Sequence, residues 1–297
     1  GQMHFSSFVE ALGFREEAAP GNFNFALKAY EAYAAQPPTG KILRQSIVPH
    51  APYSVSDKTL NQVLTYANQL NLTIHMHVHE TENEIEESLK QYQLRPIERL
   101  HRLGLLSPQF MAVHAVHLNA EDLNTLSKES ASVIHCPTSN LKLGSGVADL
   151  EALQKHNINV CMGTDGSASN NKQDVLHDMQ LASLLAKGLK KNPAIIDAKT
   201  SLEMVTINGA KALGLEDHIG SIEKGKYADL IAFDMDHVST LPMYDPMSHL
   251  IYATSREEVS HVWVNGILKY EEGHLISIDT QACKDIGLRW QHKLKQN

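Results

Sequence analysis

The segment His75-Met76-His77-Val78-His79-Glu80-Thr81 places three histidines and a carboxylate at the end of an apolar run. Imidazole nitrogens and carboxylate oxygens bind zinc and similar divalent metals, and a glutamate can also move protons. The β-branched residues before the segment predict a strand, and Thr81 with Glu84 predicts a capping box at the start of a helix. We therefore expect His77 and Glu80 where a strand becomes a loop. A simpler alternative is a strand whose alternate residues happen to be histidines.

Other predicted strand ends also carry polar side chains that could do chemistry. They are His50 between two prolines, His114 after an apolar run, the segment His135–Asn140, which leads into a predicted loop at Leu141–Gly146, and Asp165 flanked by Thr164 and Gly166. Each has a structural alternative, because a lone histidine is often a core residue and an aspartate often caps a turn. Chance explains poorly why so many such groups fall at strand ends, and this favours a single metal site with its own acid and base.

Composition limits the class of protein. The chain has 297 residues, 42% of them hydrophobic, and a formal net charge of −8. This length predicts one large domain and an appendage, and the acidic balance argues against nucleic acid or an anionic membrane as a partner. Cys136, Cys161 and Cys283 are too far apart for a disulfide framework or a thiolate zinc site, so we expect a reducing, cytoplasmic location. No apolar run is long enough to span a membrane.

Strands alternate with helices through residues 1–215, which predicts a parallel sheet built from βα units. The six predicted strands are Gln2–Phe5, Leu43–Pro49, Leu72–His79, Phe110–His117, Ala131–Cys136 and Ile158–Thr164. A helix is predicted to open with Thr200 as its cap and Glu203 at the reciprocal position. Residues 216–297 change to β structure, with a type I′ turn at Asn265-Gly266 and a final helix from Gln281.

Six parallel strands fit two architectures. An open, doubly wound sheet collects its site at one switch point, whereas a closed barrel brings every strand end around one centre. Because the polar groups follow at least five strands, we expect the barrel, two strands short of the usual eight.

These residues carry a resemblance to the amidohydrolase superfamily, in the branch of the methylthioadenosine/S-adenosylhomocysteine deaminases and the chlorotriazine hydrolases. The resemblance extends from about His50 to Gly273 and rests on PHAPYSVS, HMHVHET, VIHCPTSNLKLGSG, GTDGSASNN and GKYADLIAFD. It implies an α/β fold, a metal-dependent hydrolase (β/α)8 TIM barrel with a small β-sandwich domain. It also implies one divalent metal ion, with zinc favoured over iron or manganese.

The resemblance assigns roles to five residues. His77 and Asp165 would be metal ligands, and Asp165 would also accept a proton. His114 would hydrogen-bond the reacting centre, Glu80 would bind substrate and shuttle protons, and His50 would contact substrate. His75 and His79 lie off the matched positions, so we expect them to be packing or supporting residues.

One departure from the family pattern affects these expectations. Two further ligands would come from a His-x-His pair on the first barrel strand, and no such pair precedes His50. We therefore expect this chain to lack the first two βα units and part of the small β domain. Without those ligands the chain alone is expected to be inactive.

The implied reaction is hydrolytic deamination of an adenosine-type nucleoside. The resemblance favours 5′-methylthioadenosine, with S-adenosylhomocysteine or adenosine as further possibilities. Some relatives hold the substrate carboxylate with an arginine near the third strand, and Gln2–Ser7 contains none, which disfavours S-adenosylhomocysteine. Guanine deamination and chlorotriazine hydrolysis are alternatives with the same metal chemistry. A non-catalytic binding or scaffold protein is an alternative of another class. A small nucleoside or heterocycle is the expected partner, and a homo-oligomer is left open.

Overall fold

The computed structural model describes residues 5–11, 24, 27–29, 31, 32 and 42–295. Its strands are Phe5–Ala11 (β1), Ile42–Pro49 (β2), Ile74–Val78 (β3), Phe110–His114 (β4), Ser132–His135 (β5), Asn159–Met162 (β6), Leu230–Phe233 (β7), Val259–Val264 (β8), Ile267–Glu271 (β9) and His274–Leu275 (β10). Its α-helices are Asp57–Leu70 (α1), Glu82–Tyr92 (α2), Pro96–Arg102 (α3), Ala120–Lys128 (α4), Pro137–Leu143 (α5), Leu150–Lys155 (α6), Val175–Lys190 (α7), Ala198–Met204 (α8), Ile207–Ala212 (α9), Pro246–Tyr252 (α10) and Thr280–Lys295 (α11).

The first six strands are parallel and follow one another in chain order. β1 pairs with β2, and β3, β4, β5 and β6 pair in sequence. The backbone N–H of His77 donates to the carbonyl of His50 at 3.0 Å, which joins the end of β2 to β3. A doubly wound sheet reverses its strand order at a switch point, and these strands show no reversal. The barrel prediction is therefore confirmed over the described strands, and the doubly wound alternative is wrong.

β3 shows how the two faces of the sheet differ. Ile74, Met76 and Val78 are buried in the main hydrophobic cluster, together with residues of α1 and α3 such as Leu60 and Leu100. Since side chains alternate along a strand, His75 and His77 face the opposite side. The ring of Phe8 from β1 lies 5.2 Å from that of His75 on this side. The apolar face thus holds the helices, and the histidine face is left for the site.

The C-terminal part contains one antiparallel sheet, ordered β10-β9-β8-β7. Asn265 and Gly266 connect β8 to β9 with φ angles of 53° and 74°, as a type I′ turn requires. This is a single sheet of the predicted sandwich within the part of the chain that the structure describes. The boundary between residues 215 and 216 stays a prediction. No described helix has the length and apolar character needed to cross a membrane.

Three local predictions need correction. The first strand is Phe5–Ala11 rather than Gln2–Phe5, whose first three residues lie outside the described part. The segment Leu141–Gly146 was expected as a loop, but its first three residues complete α5, which begins at Pro137 because proline suits the first helical position. Asp197 rather than Thr200 caps α8, since the Asp197 side chain accepts the backbone N–H of Thr200 at 2.8 Å.

Candidate metal and active site

His77 lies at the centre of a histidine group at the ends of β2, β3 and β4. Its ring centroid lies 5.1 Å from that of His50 and 5.5 Å from that of His114. Nδ1 of His77 is 2.9 Å from the carbonyl oxygen of His50, an acceptor only, so Nδ1 carries the proton. Nε2 of His77 is therefore the basic nitrogen. A hydrogen bond that fixes one ring nitrogen in this way is typical of a metal-binding histidine.

His50 follows β2 and is fixed from behind in a similar way. Its Nδ1 lies 2.7 Å from Oγ of Ser54, and the Tyr53 ring meets its ring edge-on at 5.9 Å. Burial lowers the pKa of His50, which favours the neutral imidazole. Arg99 of α3 anchors this loop, because its guanidinium donates to the carbonyl of Pro52 at 2.7 Å and pairs with Asp57.

His114 ends β4 and is almost completely buried, with 1% of its surface exposed. Its Nδ1 lies 2.7 Å from Oδ1 of the buried Asn140 in α5. Because an amide oxygen only accepts, Nδ1 of His114 is protonated and Nε2 is free on the other side. Nε2 lies 3.7 Å from Oε2 of Glu80. Burial lowers the pKa of His114, so the ring is neutral at ordinary pH.

Glu80 reaches the same space from the loop after β3. Its Oε1 lies 3.5 Å from Oγ of Ser145, a residue that follows α5. The predicted capping box beside it forms only in part. Thr81 accepts the backbone N–H of Glu84 at 3.3 Å, but the Glu84 carboxylate turns away from Thr81 and accepts the backbone N–H groups of His79 and Glu80. The loop and the first turn of α2 are thus tied together.

Asp165 follows β6 in a left-handed backbone conformation, with φ of 60°. Its Oδ2 accepts hydrogen bonds from the hydroxyls of Ser139 at 2.6 Å and Ser169 at 2.8 Å. Partial burial raises the pKa of Asp165, but these donors and the nearby His114 outweigh burial and lower it. The side chain is therefore an ionised carboxylate, the form that binds a metal.

A third potential ligand lies beside the histidines, on β1. Glu10, His50 and His77 each offer a ligand atom, and these atoms all lie within 4.8 Å of one another. No feature of the sequence distinguished Glu10, because an exposed glutamate at a strand end is common. Asp165 is not in this group, but its carboxylate interacts electrostatically with His114.

His79 does not face the site. Its Nε2 accepts the backbone N–H of Ile97 at 3.1 Å, and its Nδ1 lies 3.1 Å from the carbonyl of His117. His79 is thus a neutral link between the loop after β3 and the start of α3, and burial lowers its pKa to about 4.

The structure therefore brings His50, His77, Glu80 and His114 to one place, with Asp165 beside His114. Sequence reasoning did not identify Asn140, Ser139 and Ser169 as the residues that hold them. Asn140 and Ser139 lie within the quoted VIHCPTSNLKLGSG element, and Ser169 lies within GTDGSASNN. The types of these residues gave no signal, because serine and asparagine are ordinary loop residues.

Comparison with known protein families decides the classification. Residues 13–268 match the model of the amidohydrolase family. The chain belongs to the amidohydrolase family. The resemblance predicted from the sequence motifs is thereby confirmed.

Two curated relatives show where in the family this amidohydrolase lies. A 5-methylthioadenosine/S-adenosylhomocysteine deaminase of Teredinibacter turnerae is 41% identical over 268 residues, which cover 90% of this chain and 60% of that protein. One of Pyrococcus furiosus is 41% identical over 243 residues, which cover 82% of this chain and 58% of that protein. The chain thus spans less than two thirds of the length of these relatives.

Solved structures give the same fold. An adenosine deaminase from Xanthomonas campestris with bound zinc superposes with a TM-score of 0.91 at 36% identity, covering 98% of this chain and 66% of that one. An atrazine chlorohydrolase from Arthrobacter aurescens complexed with zinc gives a TM-score of 0.85 at 22% identity, covering 94% and 64%. The second likeness shows the fold alone.

Proposed function

We propose that this amidohydrolase is a metal-dependent deaminase that hydrolyses an adenosine-type nucleoside to the inosine analogue and ammonia. The observation that carries the proposal is the placement of Glu80 3.7 Å from His114, next to the fixed imidazole of His77. Relatives named as deaminases of 5-methylthioadenosine and S-adenosylhomocysteine, 35% to 42% identical to the chain, support the same reaction.

The donor set fits a divalent metal ion, with zinc the first choice and iron or manganese as alternatives. The hydrogen bond at Nδ1 of His77 leaves Nε2 as its ligand atom, and Asp165 is ionised, as a carboxylate ligand must be. His77 and Asp165 would hold the ion, and Glu10 and His50 are further donors beside His77. When bound, such an ion lowers the pKa of a water molecule so that it attacks at neutral pH.

Glu80 would carry the protons. Its carboxylate faces the cluster with Oε2 toward His114 and Oε1 toward Ser145. From there it would protonate the ring nitrogen next to the carbon under attack, and then pass a proton to the departing amine. Asp165, an ionised carboxylate, would accept the proton released by the attacking water.

His114 and His50 would orient the reacting groups. Asn140 holds the proton of His114 on Nδ1, so Nε2 presents a lone pair to the site. A neutral His114 can accept a hydrogen bond there from the attacking water. His50, fixed by Ser54, would contact the substrate together with the exposed ring of Tyr53.

The preferred substrate is 5′-methylthioadenosine. The segment Gln2–Ser7 contains no arginine that could bind a carboxylate, and β1 instead carries the Glu10 carboxylate beside His50. A negative charge at this position disfavours the carboxylate of S-adenosylhomocysteine more than an uncharged thioether. Adenosine lacks the thioether methyl, and a lost apolar group costs roughly 1–3 kcal/mol of transition-state binding.

A substrate panel tests the proposal. Protein expressed from the complete open reading frame would be given 5′-methylthioadenosine, adenosine, S-adenosylhomocysteine, guanine and a chlorotriazine, with ammonia or chloride release measured. We expect the highest kcat/KM for 5′-methylthioadenosine and a lower value for adenosine. Fastest turnover of guanine or the chlorotriazine would contradict the proposed substrate but remain consistent with metal-dependent hydrolysis. Metal-loaded protein that turns over none of the five would favour a binding or scaffold role.

A further inference from the structure

Glu84 is a buried carboxylate in the first turn of α2 that faces backbone groups instead of a cation. Only 4% of its surface is exposed. Its Oε1 accepts the backbone N–H of His79 at 2.9 Å, and its Oε2 accepts the backbone N–H of Glu80 at 2.9 Å. Burial raises the pKa of Glu84 to about 7, and the two N–H donors offset only part of this cost. Both carboxyl oxygens act as acceptors, which an amide side chain cannot reproduce.

The two amides held by Glu84 belong to the turn that presents Glu80. His79 has φ of 56°, a left-handed conformation that a residue with a Cβ adopts at an energetic cost. The chain needs this turn because β3 ends at Val78 and Glu80 must point back toward His114. Glu84 satisfies both N–H groups that the turn exposes, so it stabilises the unfavourable conformation and fixes where the Glu80 backbone lies.

An ordinary helix cap does not explain this geometry. In a capping box the glutamate would accept the N–H of the cap residue, Thr81. The Glu84 carboxylate instead accepts the backbone N–H groups of Glu80 and His79, which precede Thr81 by one and two residues. Helix capping by Thr81 and support of the turn by Glu84 are therefore separate contacts that can be removed separately.

We propose that Glu84 is a positioning residue for the reaction, which sets the location of the Glu80 carboxylate by clamping the backbone N–H groups of His79 and Glu80. This inference rests on the proposed function, in which Glu80 moves protons. Glutamine cannot replace the clamp, because its amide offers one acceptor oxygen and turns an NH2 group toward the second backbone N–H. A shift of about 1 Å in a catalytic group can lower turnover roughly a hundredfold.

Glu84→Gln is the test, with two matched controls. Thr81→Ala removes the cap of the same helix and keeps the clamp. Glu82→Gln removes an equal charge from the same helix turn, at a side chain that is 82% exposed. We expect Glu84→Gln to lower kcat roughly 10- to 100-fold with KM and metal content nearly unchanged. Thr81→Ala should lower the melting temperature without lowering kcat, and Glu82→Gln should do neither. Wild-type kcat in Glu84→Gln, or an equal loss in Thr81→Ala, would overturn the proposal.

Hydrogen exchange separates this proposal from the proposed function. The amides of His79 and Glu80 should exchange at least about tenfold faster in Glu84→Gln than in wild type, and not in Thr81→Ala. This holds even if the wild type deaminates no nucleoside, in which case the proposed function fails and the clamp stands. Unchanged protection of both amides would overturn the clamp. If Glu84→Gln does not fold, Glu84→Asp serves, since the shorter carboxylate cannot reach both N–H groups and should show the same loss.

Discussion

Nε2 of His114 lies 3.7 Å from Oε2 of Glu80, while Nδ1 of the same ring is 2.7 Å from Asn140. The imidazole is thus held from behind by an amide and faces a carboxylate in front. Because both groups sit at strand ends, the distance between them depends on the pairing of β3 with β4, in which Val78 is the register partner of His114. The sheet register therefore sets the spacing of the two strand ends from which His114 and Glu80 extend.

Glu80→Gln should separate proton transfer from metal binding. The amide keeps the shape of the side chain but cannot carry protons, so we expect turnover to fall by about two to four orders of magnitude. Metal content and melting temperature should stay at wild-type values. Ammonia release and elemental analysis check the prediction, with Glu82→Gln as the charge-matched control. Near-normal turnover would remove Glu80 from the mechanism.

Metal content should identify the ligands. Wild-type protein from the complete open reading frame should hold about one divalent ion per chain, and His77→Asn and Asp165→Asn should each lose most of it. Glu10→Gln should keep the metal, because the resemblance assigns no ligand to that position. Elemental analysis after dialysis gives the measurement. If Glu10→Gln lost the metal and Asp165→Asn retained it, the metal ligands would instead be Glu10, His50 and His77.

Acid should destabilise the protein in part through His79. Its pKa is near 4 when folded and 6.5 ordinarily, so the unfolded chain binds more protons between these values. The contribution of His79 to the free energy of unfolding is fully present above pH 6.5. It falls by up to about 3 kcal/mol as the pH drops toward 4. In metal-free protein, His79→Asn should therefore show a smaller loss of unfolding free energy between pH 7 and 4.5 in urea titrations. Identical losses in both proteins would contradict the assignment.

Gly163 should tolerate no larger residue. A Cβ there would lie 2.8 Å from Cγ2 of Ile134 and 3.1 Å from Sγ of Cys136. Gly163→Ala should therefore lower stability by about 1–3 kcal/mol through overpacking. Gly166→Ala is the matched control, since nothing lies within 4 Å of the corresponding position. The melting temperatures of the two variants are compared by thermal unfolding. Equal values would show that Ile134 and Cys136 shift at no cost to accommodate the added Cβ.

The sequence predicted most of the fold because its patterns are local. The alternation of Ile74, Met76 and Val78 with histidines is visible in the printed chain, and the Asn265-Gly266 turn is specified by two residues. The helix from Pro137 was missed because the glycines that follow it suggested a loop. The Asp197 cap was missed because Thr200 and Glu203, which begin three residues after Asp197, have the spacing of a capping box.

Prediction of the site was less complete, for a physical reason. Motif spacing places His77, Glu80, His114 and Asp165 at strand ends, but hydrogen bonds across the barrel decide how each ring and carboxylate is held. Asn140 contacts His114 across 26 positions of sequence, and Ser139 reaches Asp165 across the same separation. No local pattern encodes such pairs, so the supporting residues emerge only from the folded arrangement. The roles of the site residues stay predictions until the variants are measured.

The left-handed conformations of His79, His114 and Asp165 affect how mutational data on this site should be interpreted. Asparagine adopts positive φ more readily than alanine or a β-branched residue. Replacing one of these three by alanine would therefore change two things at once, the chemical group and the ease with which the chain turns after its strand. An alanine scan would exaggerate their chemical importance, and asparagine is the substitution that isolates it.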